Sequence, residues 1–208
     1  MPSSTKIEAK RGRPRAYDPQ AALAEAMDVF WDKGYAATSL DDLSDAMGMN
    51  RPSIYAAFGD KRALYHKALE TYSEANRTAI GQVLSRATSL RAALEGLYEA
   101  AIGVYLSPKK GARGCFVIST ALTEATRDAG IQKGLVQSLE RLDKALAQRI
   151  AMAQEAGEIS KDADPAALGI LASATLYRMA ISARAGIKRA GLREIAQAAV
   201  ATICGQPR

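Results

Sequence analysis

The sequence predicts an all-α protein of about nine helices: an N-terminal three-helix helix-turn-helix domain, then a C-terminal helical bundle domain. Three observations carry this. Alanine is abundant, and it forms helix without loss of side-chain entropy. Apolar residues recur at spacings of three and four along most of the chain. The seven prolines lie near the termini or at segment boundaries, so none breaks a long apolar-periodic stretch.

The elements follow in order. Asp18-Pro19 reads as an N-cap with proline in the first turn. Leu23, Ala26, Met27, Phe30 and Trp31 then form one stripe, and Gly34 closes a helix over about 19–33. Thr38 and Ser39 precede Asp41 and Asp42, a capping signature for a second helix over 40–47, closed by Gly48. Asn50 caps a third, short helix over 51–57, with Pro52 in its first turn. Asp60 caps a fourth that runs to about Arg86. Beyond it, helices are expected over 89–106, 115–128, 130–156, 165–185 and 192–203, with a basic loop from Lys109 to Gly114.

Composition bounds the function. The 208 residues are 48% hydrophobic and 24% charged, as in a folded globular chain. The N-terminus is polar and basic with no apolar core, unlike a secretory signal, and no unbroken apolar run of spanning length occurs, so no membrane segment is expected. Two cysteines and one histidine argue against a disulfide framework or a structural metal, and a reducing cytoplasm is the expected home. No nucleophile–base pair, metal-ligand spacing or glycine-rich phosphate loop supports an enzyme or cofactor protein. The net charge is +6, but its distribution matters more. Residues 1–16 form an expected disordered basic arm containing Arg13 and Arg15. The segment behind it is acidic on balance. The arm either tracks a nucleic-acid backbone or serves as a solubilising tail.

Two short helices joined by a glycine-closed turn are a helix-turn-helix. Ala46, Met47 and Ile54 are expected to meet inside its elbow, which leaves the second helix free to enter a major groove. Arg51 and Ser53 suit phosphate or base edges, and arginine can contact guanine through two hydrogen bonds. Tyr55 offers a ring for packing and a hydroxyl for phosphate. Thr38, Ser39 and Lys61 stand at helix starts that attract phosphate. The plainer alternative treats these residues as caps and solvated side chains.

The stretch TSLDDLSDAMGMNRPSIYAAFGDKRALYHKAL resembles the DNA-binding region of the TetR family. The match rests on Gly34-Tyr35, Thr38-Ser39, Gly48, the Ile54-Tyr55 pair, Phe58, Lys61 and Leu64, over about residues 19–69. The resemblance implies backbone contacts from Thr38, Ser39, Tyr55 and Lys61, and base contacts from Asn50, Arg51, Pro52 and Ser53. Ala56-Ala57 departs from the family, which often has a polar residue there. The resemblance also implies a repressor released from a palindromic operator by a small molecule, although the sequence leaves an activator open.

Residues 17–62 would then be the DNA-binding domain, and 63–208 the ligand-binding and dimerisation domain. The last two helices carry small residues, among them Gly169, Ala172, Ser173, Ala180, Ser182 and Ala183. Leu192, Ile195, Ala199 and Ile203 share a face. These either pair with a two-fold mate as a homodimer or pack within one chain. Tyr98, Tyr105, Phe116 and Tyr177 are candidate ligand-binding residues, with Leu122, Met152 and Met179 as further candidates or plain core. Cys115 stands at a helix start near Lys109, Lys110 and Arg113, which would favour thiolate. The Gly-Cys-Phe run resembles a TetR subgroup whose cysteine senses electrophiles or oxidants; the alternative is a buried apolar cysteine. His66 has no evident partner in the sequence.

Overall fold

The computed structural model describes residues 18–205. The arm, with Arg13 and Arg15, lies outside the described residues. Among those described, nine helices and one small hairpin follow in order: α1 Pro19–Ala37, α2 Leu40–Met47, α3 Arg51–Phe58, α4 Lys61–Arg86, α5 Leu90–Tyr105, β1 Leu106–Ser107, β2 Gly111–Ala112, α6 Phe116–Glu124, α7 Ala129–Glu155, α8 Pro165–Arg184 and α9 Arg189–Cys204.

The caps set the short helices. Asp18 accepts from the backbone N–H of Gln20, and Pro19 follows it. α1 bends at Gly34, whose backbone is not helical, and one further turn reaches Ala37. Ser39 and Asp42 form a reciprocal capping box at the start of α2. Gly48 takes the left-handed conformation, with φ of 60°, that the elbow requires and that a Cβ would disfavour. Asn50 Oδ1 accepts from the backbone N–H of Ser53, 2.9 Å away, and opens α3.

Leu43, Met47, Met49, Ile54 and Phe58 fill the elbow against Phe30 of α1 and Leu64 and Tyr65 of α4. Ala46, expected inside, is exposed. Met49, two residues past the helix end, takes the inward position instead. This core does not stop at α4. It takes in Phe116 and Ala121 of α6 and Ile131 of α7. Phe116 is fully buried, with ring centroids 5.3 Å from Trp31 and 5.5 Å from Tyr72. Phe116→Ala is expected to cost about 3–5 kcal/mol, read as a lower denaturant midpoint with an unchanged slope.

A second core joins α5, α7, α8 and α9 around Leu94, Tyr98, Ile102, Leu146, Ile150 and Met179. Gly169 lets α8 lie against α7: a Cβ there would fall 2.9 Å from the Ala147 backbone nitrogen. Ala172, Ser173, Ala180, Ser182 and Ala183 are also buried within the chain. Leu192, Ala199 and Ile203 of α9 face the same core, with Ile195 packed at its edge. The small residues that suggested a two-fold seam therefore serve packing inside the protomer. The outward stripe of α8 is instead Ile170, Leu171, Ala174, Arg178 and Ile181. α8 alone among the described helices is long and apolar enough by composition to cross a membrane, although Arg178 interrupts its apolar run. Half of its apolar window is buried in this fold.

The expected loop at 109–114 is a hairpin, with Leu106 paired to Ala112 and Ser107 to Gly111. α6 is shorter than expected because the chain turns after Glu124 and Asp128 caps α7. α9 begins three residues early, at Arg189, on the Lys188 cap.

Candidate nucleic-acid interface and effector cavity

The outer edge of α3 presents Arg51, Pro52, Tyr55 and Ala56 to solvent, and Tyr55 is 49% exposed. Ile54 and Phe58, on the opposite side, anchor the helix in the core. Arg51 is not a free cation here: its Nε donates to Asp41 Oδ1 at 2.9 Å. That pair is exposed on both sides, so it contributes little and can exchange for a phosphate or a guanine edge. Asn50 and Ser53 are joined through the cap, with Ser53 half-buried.

Two expected backbone contacts are placed differently. Thr38 is 2% exposed, and its hydroxyl donates to the Gly34 carbonyl at 2.6 Å. Its side chain therefore ties the α1 turn together and faces no partner outside. Ser39 remains exposed, at the capped α2 start. Asp42 in that cap is held down at about 2, by the Lys33 ammonium 2.6 Å away and then by the Ser39 donors. Lys61 Nζ donates to the carbonyls of Tyr35 and Thr38, at 3.0 and 2.8 Å, and sits 4.4 Å from the centre of the Tyr35 ring. Its ammonium closes the end of α1, which leaves at most one donor for a phosphate. His66 does have a partner: its Nε2 lies 3.2 Å from Asp128 Oδ2, which also takes the Arg62 guanidinium.

Behind this head lies a cavity of about 500 Å³ between α4, α5, α6, α7 and α8. Tyr105, Cys115 and Tyr177 line it, with Tyr72, Val104 and Ile118. Tyr98 and Phe116 do not. The Tyr98 hydroxyl donates to the Ala172 carbonyl at 3.2 Å, deep in the second core, and Phe116 belongs to the aromatic cluster under α1. Met179 is core, and Leu122 and Met152 are exposed. Periodicity could not separate these residues, because a wall and a core both read as apolar.

Cys115 is the N-cap of α6, as its place after Gly114 suggests, but its surroundings differ from the expectation. Lys110 and Arg113 turn away to α1. Lys110 Nζ and Arg113 Nη1 each lie 2.7 Å from an Asp28 oxygen, and Arg113 Nε lies 3.0 Å from Asp32 Oδ1. Arg113 is 7% exposed, with its guanidinium 4.3 Å from the Trp31 ring centre. Without those cations, burial raises the Cys115 thiol, offset in part by the N–H of Ile118 and the Tyr72 hydroxyl 3.6 Å away.

Comparison with known proteins agrees with this architecture. Residues 22–68 match the family described as bacterial regulatory proteins, tetR family, and residues 91–199 match the tetracyclin repressor-like C-terminal domain. The chain is 34% identical over 193 residues to the HTH-type transcriptional repressor ComR of Escherichia coli K12, covering 91% of this chain and 90% of that protein. It is 28% identical to the uncharacterised HTH-type regulator YezE of Bacillus subtilis 168, over 76% of this chain and 81% of that one. Among solved structures, a cysteine mutant of the TetR family regulator CifR, complexed with 26-bp operator DNA, superposes with a TM-score of 0.82 at 30% identity. That match covers 90% of this chain and 98% of CifR. The three-helix head, the helical domain behind it and these matches together place the chain in the TetR family of DNA-binding transcriptional regulators.

Proposed function

We propose that this protein is a one-component repressor whose residues 17–62 grip a palindromic operator and whose residues 63–208 dimerise and bind a small effector that releases it. The observation that carries the reading is α3: anchored by Ile54 and Phe58 and bare along the edge that holds Arg51, Pro52 and Tyr55. Ser39 and Tyr55 contact phosphate, with the remaining Lys61 donor and Arg13 and Arg15 of the arm. Asn50, Arg51, Pro52 and Ser53 meet bases, and Thr38 acts through the α1 turn. The repressor ComR and the operator-bound CifR support this. A dimer forms through the outward stripe of α8 together with α9, because one short helix reads too few base pairs alone. The setting is the cytoplasm, where operator and effector meet.

Footprinting on the DNA upstream of the protein's own gene tests the reading, with a two-fold symmetric protected site expected. Arg51→Ala is expected to weaken that site by about 1–3 kcal/mol and relax specificity at one position per half-site. Anisotropy titrations on single-base variants measure both. An asymmetric footprint, or an Arg51→Ala protein with wild-type selectivity, overturns the assignment.

Electrophile or oxidant sensing at Cys115 is the second reading. The thiol's place in the cavity wall favours it. Since burial keeps the thiol protonated, such a reagent must first bind in the cavity. Unchanged release by oxidant in Cys115→Ser removes this reading and leaves the first intact.

A further inference from the structure

Resting on the reading of this cavity as the effector site, we infer that it takes a neutral, largely apolar molecule with one hydrogen-bond-accepting oxygen, held by the hydroxyls of Tyr105 and Tyr177 beside Cys115. The walls are apolar, built by Leu97, Val104, Ile118, Leu142 and Leu176. Three tyrosine hydroxyls approach the Cys115 end. Tyr72 is engaged, donating to the Cys115 sulfur. Tyr105 and Tyr177 have no hydrogen-bond partner among the described residues, although Tyr105 is only 7% exposed. Arg113 Nε is the one fully covered side-chain nitrogen or oxygen, among the described residues, that lacks a hydrogen bond. The two phenols are therefore uncovered, and the space that uncovers them is the cavity they line.

Charge decides what they hold. Arg77 and Arg141 line the same cavity but are exposed at its mouth, where Arg77 pairs with Glu74 and Arg141 donates to Gln137. Among the described residues no cation acts on either phenol, and Asp143 lies close enough to Tyr177 to act on its ionisation. Burial raises both phenols above the ordinary range, further helped by Cys115 at Tyr105 and by Asp143 at Tyr177, so both stay protonated donors. A carboxylate placed there would lose its water without gaining a counter-charge. A pure hydrocarbon would fill the walls but leave two donors dry, each costing about 1–3 kcal/mol. An ester, ketone, ether or epoxide oxygen satisfies them.

The test titrates full-length protein, free of DNA, with 4-phenyl-2-butanone, butylbenzene, 4-phenylbutanoate and 4-phenylbutylamine in a calorimeter. The ketone is expected to bind at least tenfold tighter than each of the others. In Tyr105→Phe/Tyr177→Phe that advantage falls below threefold, because the ketone loses its donors and butylbenzene, leaving no donor dry, binds more tightly than to the wild type. Thermal melting confirms that the double variant is folded, and each single variant is expected to lose part of the advantage. Preference for the carboxylate or the amine, a ketone preference that survives the double variant, or no binding by the whole series overturns the inference. Direct binding without DNA keeps this outcome separate from the repressor reading, which stands or falls on the footprint.

Discussion

Arg113→Ala is expected to lower the unfolding free energy by about 3 kcal/mol, because it removes a buried guanidinium that pairs with Asp28 and Asp32 and covers a face of Trp31. Arg113 joins the C-terminal helical domain to α1 in three ways. Its guanidinium pairs with both carboxylates and lies over the indole, and its backbone carbonyl accepts from Trp31 Nε1 at 3.2 Å. Lys110 reaches the same Asp28 from an exposed position, so Lys110→Ala is expected to cost less than about 1 kcal/mol. Chemical denaturation of both variants measures the contrast. The pH dependence has a definite sign. Partial burial alone would raise Asp28, but Lys110 and Arg113 overcome it and hold the carboxyl below its ordinary value. The strap is thus complete above pH of about 4 and is lost as the pH falls through that lower value. Arg113→Ala moves the acid limb of the unfolding profile upward. An Arg113→Ala protein as stable as wild type, with the same acid limb, would show that the strap is ornamental.

On the proposed dimer, Ile181→Glu is expected to give a monomer and reduce operator affinity roughly a hundredfold, since the two half-sites are then bound independently. Ile181 is 55% exposed, and with Ile170, Leu171 and Ala174 it forms an uncovered apolar stripe along α8. A carboxylate introduced into that stripe would have to shed its water when a second apolar face covers it. Sedimentation velocity reads the assembly, and anisotropy reads the affinity. Helical circular dichroism should be unchanged, because the residue faces outward. A variant that stays dimeric at micromolar concentration places the seam elsewhere.

The helical order and most boundaries were legible from caps and glycines. Ser39, Gly48, Asn50 and Asp60 each act locally, and local signals survive in a linear string. What depends on distant partners was not. Thr38 reads as a helix-start hydroxyl, yet its hydroxyl is taken up by the Gly34 carbonyl four residues back. Arg113 reads as one cation of a loop, and nothing in its neighbourhood announces two acids some 80 positions earlier. The small residues of α8 point correctly to a close helix approach, but Gly169 shows that the approaching helix is α7 of the same chain. The cavity was half-legible: Tyr105, Cys115 and Tyr177 line it, whereas Tyr98 and Phe116 share their residue type but sit a turn or a layer away.

Gly114 carries one further consequence. Its φ is 65°, and a Cβ there would come within 2.7 Å of the Ala180 carbonyl oxygen. The hairpin end thus rests on the bare backbone of α8, with no compliant side chain between them to absorb motion. Arg113, the residue next to Gly114, in turn holds Asp28 and Asp32 of α1, so α8 and α1 are joined here through one short stretch of backbone. On the proposed dimer, a change of packing at the outward face of α8 would bear on α1 through this contact, by a route separate from the cavity.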